Sequence, residues 1–279
     1  MTAHDANSTA TATASKYWNT AVSEITPETV YIRGYRLEDL IGTSFTTTTF
    51  LMIKGRLPSP AEAKVLDAIL TSVLDYGLEK SGTAAARFVV SCNPQVQAGL
   101  AAAVLGAGDY ALATENTAQF IVDTHRRFQA AEETDLDTFA AQVVADASAT
   151  KFRIPGFGHP VFRHVDPRAA VLKQIAVDQG LWGESLQLYE AVHRAFIQQR
   201  GREHFPINDV GVLAAISVAL GFTPKESTAL AVLGTLPGVV AHITEELESK
   251  KVVRRIPAAD VDYQVGRRSL ADDLTEAGW

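Results

Sequence analysis

Residues 154–169, IPGFGHPVFRHVDPRA, place two histidines, two arginines, an aspartate and two glycines within sixteen positions. Gly156 and Gly158 flank Phe157, so the backbone there is free to take positive φ and to approach a ligand closely. Pro155 and Pro160 stiffen the loop. His159 lies on the turn, where an imidazole can be held with one ring nitrogen facing outward. Arg163 and Arg168 follow four and nine residues later, and Asp166-Pro167 is a cap signal for a helix. Two arginines at a helix start run against the helix dipole, which favours anions there. They fit a site that receives a carboxylate or a phosphate. A solvated loop with a capping aspartate uses the same residues, and composition leaves both readings open.

Three other stretches carry reactive groups. In FPINDVGVLAAISVALG (205–221), Asn208 and Asp209 head an otherwise apolar helix. A carboxylate there would be half-buried and its titration adjustable, although a routine N-cap is the plainer reading. GAGDYALATEN (106–116) sets Asp109, Tyr110 and Glu115 beside a helix break, where a plain corner between helices is the simpler account. Lys250, Lys251, Arg254 and Arg255, followed by Arg267 and Arg268, read as a solvated tail or, in an acidic protein, as an anion clamp. His125, His193, His204 and His242 are scattered without metal-ligand spacing, so no metal is expected.

The elements that must position these groups are read from periodicity. Val30–Arg33 before Gly34 suggests an extended entry or small hairpin. A helix broken near Thr43 and Ser44 ends at Gly55 and Pro58. Ser59-Pro60-Ala61-Glu62 is a helix start, and Val65, Ile69, Val73 and Leu74 share its apolar face. Residues 95–106 are small and apolar, which predicts a helix packed closely on all sides. Further helices are expected at 114–130, 135–149, 167–179, 184–200, 208–220 and 224–248, with Gly180, Gly201 and Gly221 at C-terminal ends. Nine or ten helices and almost no strand predict an all-α fold.

The chain has 279 residues, 47% hydrophobic and 20% charged, enough for a substantial core without disulfides. A net charge of -7 argues against general nucleic-acid binding, because no basic excess is available to displace counterions from phosphates. The one cysteine, Cys92, excludes an intrachain disulfide, fits a reducing compartment and reads as a small buried hydrophobe. No run approaches the roughly 20 apolar residues of a membrane span. Residues 1–16 read as a disordered tail and not as a signal peptide, which makes a cytoplasmic protein the default.

The stretch Gly156-Phe157-Gly158-His159, followed by Asp166-Pro167-Arg168, resembles the signature loop of the citrate synthase family. IRGYRLEDLI (32–41), KGRLPSPAEAKVLDAIL (54–70) and AHITEELESKKVVRRIP (241–257) are similar in the same order. The chain length and the wording GFGHPVFR look closer to the citryl-CoA lyase branch. The resemblance implies an all-α homodimer, with a large helical domain (17–150 and 206–279) and a small mobile one (151–205). It implies a coenzyme A thioester as substrate together with a carboxylated oxo or hydroxy acid, with no metal, nucleic acid or membrane partner.

By the same resemblance, Gly156, Phe157 and Gly158 would present backbone to the adenine and Arg163 would meet a CoA phosphate. Arg168, with Asn208 and Arg255, would bind the acid, and His159 would hydrogen-bond the oxygen on the carbon attacked or released. The chain departs from the family in three places. The family's catalytic aspartate, in an Asn-x-Asp-Gly pattern, corresponds to Val210, with the acid one position earlier at Asp209. A second histidine is missing from the GDYALATEN region and a third from SCNPQ (91–95). Asp209 is therefore the expected base, with Asp109, Tyr110 or Glu115 as substitutes. Carbon–carbon cleavage or formation stands beside two alternatives: thioester hydrolysis or an atypical condensation, and a non-catalytic acyl-CoA-binding protein.

Overall fold

A computed structural model describes the protein over residues 17–133, 135–201 and 205–279. The expected disordered tail, 1–16, and His204 lie outside the described residues. The fold is all-α apart from a small ribbon. That ribbon is β1 (Ser23–Ile25), β2 (Val30–Ile32) and β3 (Tyr35–Arg36), antiparallel in the order β1-β2-β3, with Tyr31 opposite both Glu24 and Arg36. The β2–β3 hairpin is the expected one. The three exposed residues of β1 carry too short a pattern to announce a strand.

Two short helices follow, α1 (Leu37–Leu40) and α2 (Phe45–Lys54), broken as expected around Thr43. Ser44 caps α2, and Gly55 ends it in the left-handed region at φ 73. α3 (Pro60–Ser72) opens with a complete capping box: the Ser59 hydroxyl accepts from Glu62 N–H while the Glu62 carboxylate accepts from Ser59 N–H. Val65, Ile69 and Val73 are buried as the apolar spacing requires, but Leu74, past the helix end, is exposed.

The remaining helices are α4 (Ser81–Cys92), α5 (Val96–Leu105), α6 (Thr114–Gln129), α7 (Leu136–Ala149), α8 (Pro167–Asp178), α9 (Glu184–Arg200), α10 (Asp209–Ala219), α11 (Pro224–Glu248) and α12 (Leu270–Glu276). Gly180, Gly201 and Gly221 all take positive φ at or just past helix ends, as a left-handed C-terminal residue demands. α12 is a seven-residue helix in the tail that the sequence pattern did not announce.

Packing gathers the chain into two units. One contains the residues up to Val73 and Leu112–Gly234; the other contains Leu74–Ala111 and Thr235–Trp279. Residues 151–205 belong to the first unit. An apolar cluster within it draws Ile121 from α6, Val143 and Val144 from α7, Leu186, Leu188 and Val192 from α9 and Ala215 from α10. In the second unit α4 and α5 form a hairpin against the end of α11, where Gly99 meets Val90 and Ile243 so closely that a Cβ has no room.

Two expectations fail in this second unit. α5 is not enclosed on all sides: Val96, Val104 and Leu105 are exposed, and Gly99 alone is buried along it. Cys92, at the end of α4, is exposed and not a buried hydrophobe.

α11 is long and apolar enough to cross a membrane by length and composition, against the expectation that no run approaches a membrane span. Three of its carboxylates have partners within the protein. Glu226 pairs with Lys54, and Glu246, 1% exposed, sits between Arg87 and Arg254. Charges neutralised in this way suit a core helix better than a lipid-facing one.

Candidate active site

The loop from α7 to α8 is anchored by its aromatic residue. Phe157 is buried against Tyr189, His193 and Phe196 of α9, the rings 4.8 to 5.4 Å apart. Its backbone pairs with the segment before α10: Gly158 N–H donates to the Pro206 carbonyl at 2.7 Å and Asn208 N–H to the Gly156 carbonyl at 3.0 Å. Gly156 and Gly158 take φ +82 and +87. The expected positive φ is present, and the close approach it permits is to the protein itself. A Cβ on Gly156 would collide with the Tyr189 hydroxyl, and one on Gly158 with the Phe205 ring.

Tyr189 is fully buried and donates to the Pro155 carbonyl at 3.0 Å. Burial pushes its hydroxyl far above the usual range, so it stays a donor. His193 donates Nε2–H to the Phe205 carbonyl at 2.7 Å, and burial lowers its pKa, which keeps the ring neutral. It is a core histidine.

Asn208 is the N-cap of α10. Its Oδ1 accepts from Gly211 N–H and its Nδ2 donates to the Gly158 carbonyl, both at 2.8 Å. Both ends of the side chain, expected among the acid-binding groups, are thus taken up in joining loop to helix. Gly211 is needed for the same junction, since a Cβ there would stand 2.7 Å from the Gly156 carbonyl oxygen. With the cap supplied by Asn208, Asp209 is released from that role and turns inward.

Four side chains converge where α8 and α10 begin. Asp166 caps α8 and is held by four hydrogen bonds, from Arg168 N, Nε and Nη2 and from Asp209 N, at 2.9 to 3.1 Å. Arg168 Nη1 lies 3.1 Å from Asp209 Oδ2, and Nη2 lies 3.1 Å from His159 Nε2. Burial would raise the Asp166 carboxyl. The hydrogen bonds and charge of Arg168, with the backbone N–H groups, outweigh it and hold the group below the ordinary carboxylate range. Sequence reading assigned Asp166 only a cap; here it also fixes the guanidinium.

His159 is oriented by backbone. Its Nδ1 accepts from Val161 N–H at 3.1 Å and Phe162 N–H at 3.0 Å, and the Phe162 ring packs against it at 4.7 Å. Its Nε2 lies against Arg168 Nη2, so backbone on one side and guanidinium on the other fix the plane of the ring.

His159, Asp166 and Asp209 bring ligand-type atoms within 4.8 Å of one another, a set that could hold a cation. The Arg168 guanidinium lies among them, so the chain itself supplies the positive charge those carboxylates face.

Arg168 also lines a groove of about 580 Å³ between α3 and α8, walled by Ala68, Thr71, Val171, Leu172 and Ile175. That volume is in the range of small-molecule sites.

The other expected residues are not part of this cluster. Arg163 is exposed on the loop. Glu115 begins α6, its N–H donating to the Thr228 hydroxyl. Asp109 and Tyr110 are exposed in the second unit, in the corner that Gly108 and Ala111 close. Of the basic run, Arg254 pairs with Glu246 and Arg255 is exposed. His125 pairs with Glu184 and His242 with Asp75.

The helical frame is shared with known proteins. The chain belongs to the citrate synthase family, whose profile "Citrate synthase, C-terminal domain" matches residues 58–256. Within it the chain is citryl-CoA lyase-like. The citryl-CoA lyase structure from Hydrogenobacter thermophilus superposes with a TM-score of 0.84 at 32% identity, covering 93% of this chain and 100% of that one. The ATP citrate lyase of Methanothrix soehngenii, solved with citrate and coenzyme A, shares the fold with a TM-score of 0.74 at 21% identity, over 91% of this chain and 42% of that one. Citrate synthase 2 of Bacillus subtilis is 26% identical over 211 residues, 75% of this chain and 53% of the relative. The chain thus spans about half the length of the curated relatives it matches.

Proposed function

We propose that the protein is a coenzyme A-dependent carbon–carbon lyase or synthase of the citryl-CoA lyase type. In the cleavage direction a carboxylated 3-hydroxyacyl-CoA loses its hydroxyl proton and its C2–C3 bond breaks. The hydroxyl-bearing carbon becomes the carbonyl of an oxo acid, and the electron pair passes to the thioester enolate, which is then protonated. The observation that carries this reading is the cluster in which Arg168 touches both His159 Nε2 and the Asp209 carboxylate. His159 holds the oxygen on the cleaving carbon, Arg168 takes a carboxylate of the acid, and Asp209 accepts the hydroxyl proton and returns it to the acyl α-carbon. The full-length match to the Hydrogenobacter citryl-CoA lyase supports this choice within the family.

Arg163, exposed on the loop, would meet a CoA phosphate, and exposed Arg255 would supply a further anion contact. Residues 151–205 would act as the small domain. The protein would work as a homodimer, a reading that the exposed apolar residues of α5 support.

Incubating the purified protein with citryl-CoA tests the proposal. Acetyl-CoA and oxaloacetate should appear together, and His159→Ala should lose about 100-fold or more in kcat while still binding CoA. Citryl-CoA that persists in the presence of CoA-thioester binding would sink the lyase assignment. Release of free CoA and citrate instead would favour thioester hydrolysis.

A further inference from the structure

The acid at 209 stands one position before the place where the family's aspartate is expected, and in a helix one position turns a side chain by about 100°. At the start of α10 that turn directs the carboxylate to Arg168. Asp209 Oδ2 lies 3.1 Å from Nη1, with 5% of its side chain exposed. Asp166 holds the other edge of the same guanidinium through Nε and Nη2.

Two carboxylates therefore face one guanidinium. An incoming carboxylate meets an edge of Arg168 that is already engaged and a local excess of negative charge. Of the two resident acids, Asp166 is locked, because it also caps α8 and accepts the backbone N–H groups of Arg168 and Asp209. Asp209 has its backbone fixed but its carboxylate held to Arg168 at the Nη1 edge.

We propose that Asp209 is an exchangeable counter-ion of Arg168, displaced when the carboxylate of an acid ligand takes the Nη1 edge. This rests on the proposed function in assigning the ligand a carboxylate. It adds that the resting enzyme keeps Asp209 in an ion pair, and that acid binding releases it to act on the acyl group. The Nη2 edge of Arg168, held by Asp166 and against His159, stays in place through the exchange.

Titration calorimetry with oxaloacetate, at fixed ionic strength and without CoA, measures the exchange. Asp209→Asn removes the competing charge and should bind oxaloacetate roughly two- to fivefold tighter, as expected for one displaced, partly screened ion pair. Asp166→Asn loosens the guanidinium and should bind it more weakly. A folded Asp209→Asn protein with unchanged or weaker affinity would overturn the proposal, and so would a crystal structure of the unsubstituted protein with oxaloacetate on Arg168 and the Asp209–Arg168 pair intact. A separation of that pair beyond hydrogen-bond reach in such a structure is the result the exchange requires. Failure of the unsubstituted protein to bind either oxaloacetate or CoA would defeat the functional reading and the exchange with it. Binding of both ligands, with unaltered affinity in Asp209→Asn, defeats the exchange alone.

Discussion

Gly156 and Gly211 face each other where the loop crosses the first turn of α10, and the positions of His159 and Asp209 depend on that crossing. Gly156 takes positive φ, and a Cβ there would strike the Tyr189 hydroxyl and the Gly211 Cα. Gly156→Ala therefore combines a strained backbone with overpacking, each worth about 1–3 kcal/mol, so a loss of roughly 2–6 kcal/mol in unfolding free energy is expected. Urea denaturation measures it. Adding Tyr189→Phe removes the struck hydroxyl and should recover part of the loss; a Gly156→Ala protein as stable as the parent would refute the close-approach account. The glycines flanking Phe157 were conspicuous in the sequence as ligand-approach positions, and their packing use could not be read there, because the atom that forbids a Cβ belongs to a residue 33 positions away. Asp166 was hidden in the same way. A capping aspartate looks the same whether or not an arginine two residues on and a backbone N–H from position 209 also converge on it.

At the scale of elements, most helices were legible because apolar spacing and punctuation agree: Ser59-Pro60 opens α3, Asp166-Pro167 opens α8, and Gly180, Gly201 and Gly221 close α8, α9 and α10. The failures have a common cause. β1 and α12 are too short and too exposed to show a period, and α5 is apolar all round, so composition does not say which of its faces the chain covers. The α3 start also makes a quantitative test. Glu62 is hydrogen-bonded by Arg56 at 2.6 and 3.0 Å and by Ser59 N–H at 2.8 Å. The Arg56 bonds, against a smaller cost of burial and with help from Ser59, bring its pKa down to about 2. A carboxyl depressed in the folded state contributes stability that is fully present above its unfolded value, near 4.3, and is lost as pH falls through the folded value. Glu62→Ala should therefore cost about 1 kcal/mol at pH 7, and the gap to the parent should narrow between pH 4 and pH 2. A gap independent of pH in chemical denaturation would show that the capping box, and not the charge, carries the effect.

For the whole molecule, an acidic surface with a net charge of -7 disfavours random self-association, so an apolar face left bare needs a specific cover. α5 is such a face. Val96 and Val104 are about two-fifths exposed and Leu105 is 84% exposed, among alanines that let another backbone approach closely. A second copy of the chain would cover this surface if the two met around a two-fold axis, the commonest symmetry of soluble oligomers. The proposed homodimer accordingly uses α5 at its centre. Light scattering coupled to gel filtration should give a mass near twice 30.0 kDa, and Leu105→Glu, which puts a charge at the most exposed apolar position, should shift the population toward monomer in a concentration-dependent way. Because Leu105 makes little packing of its own within one chain, the variant should keep the parent's helical circular dichroism. Loss of helicity would mean that α5 is needed for folding of the protomer, and an unchanged dimer mass would mean that the protomers meet elsewhere.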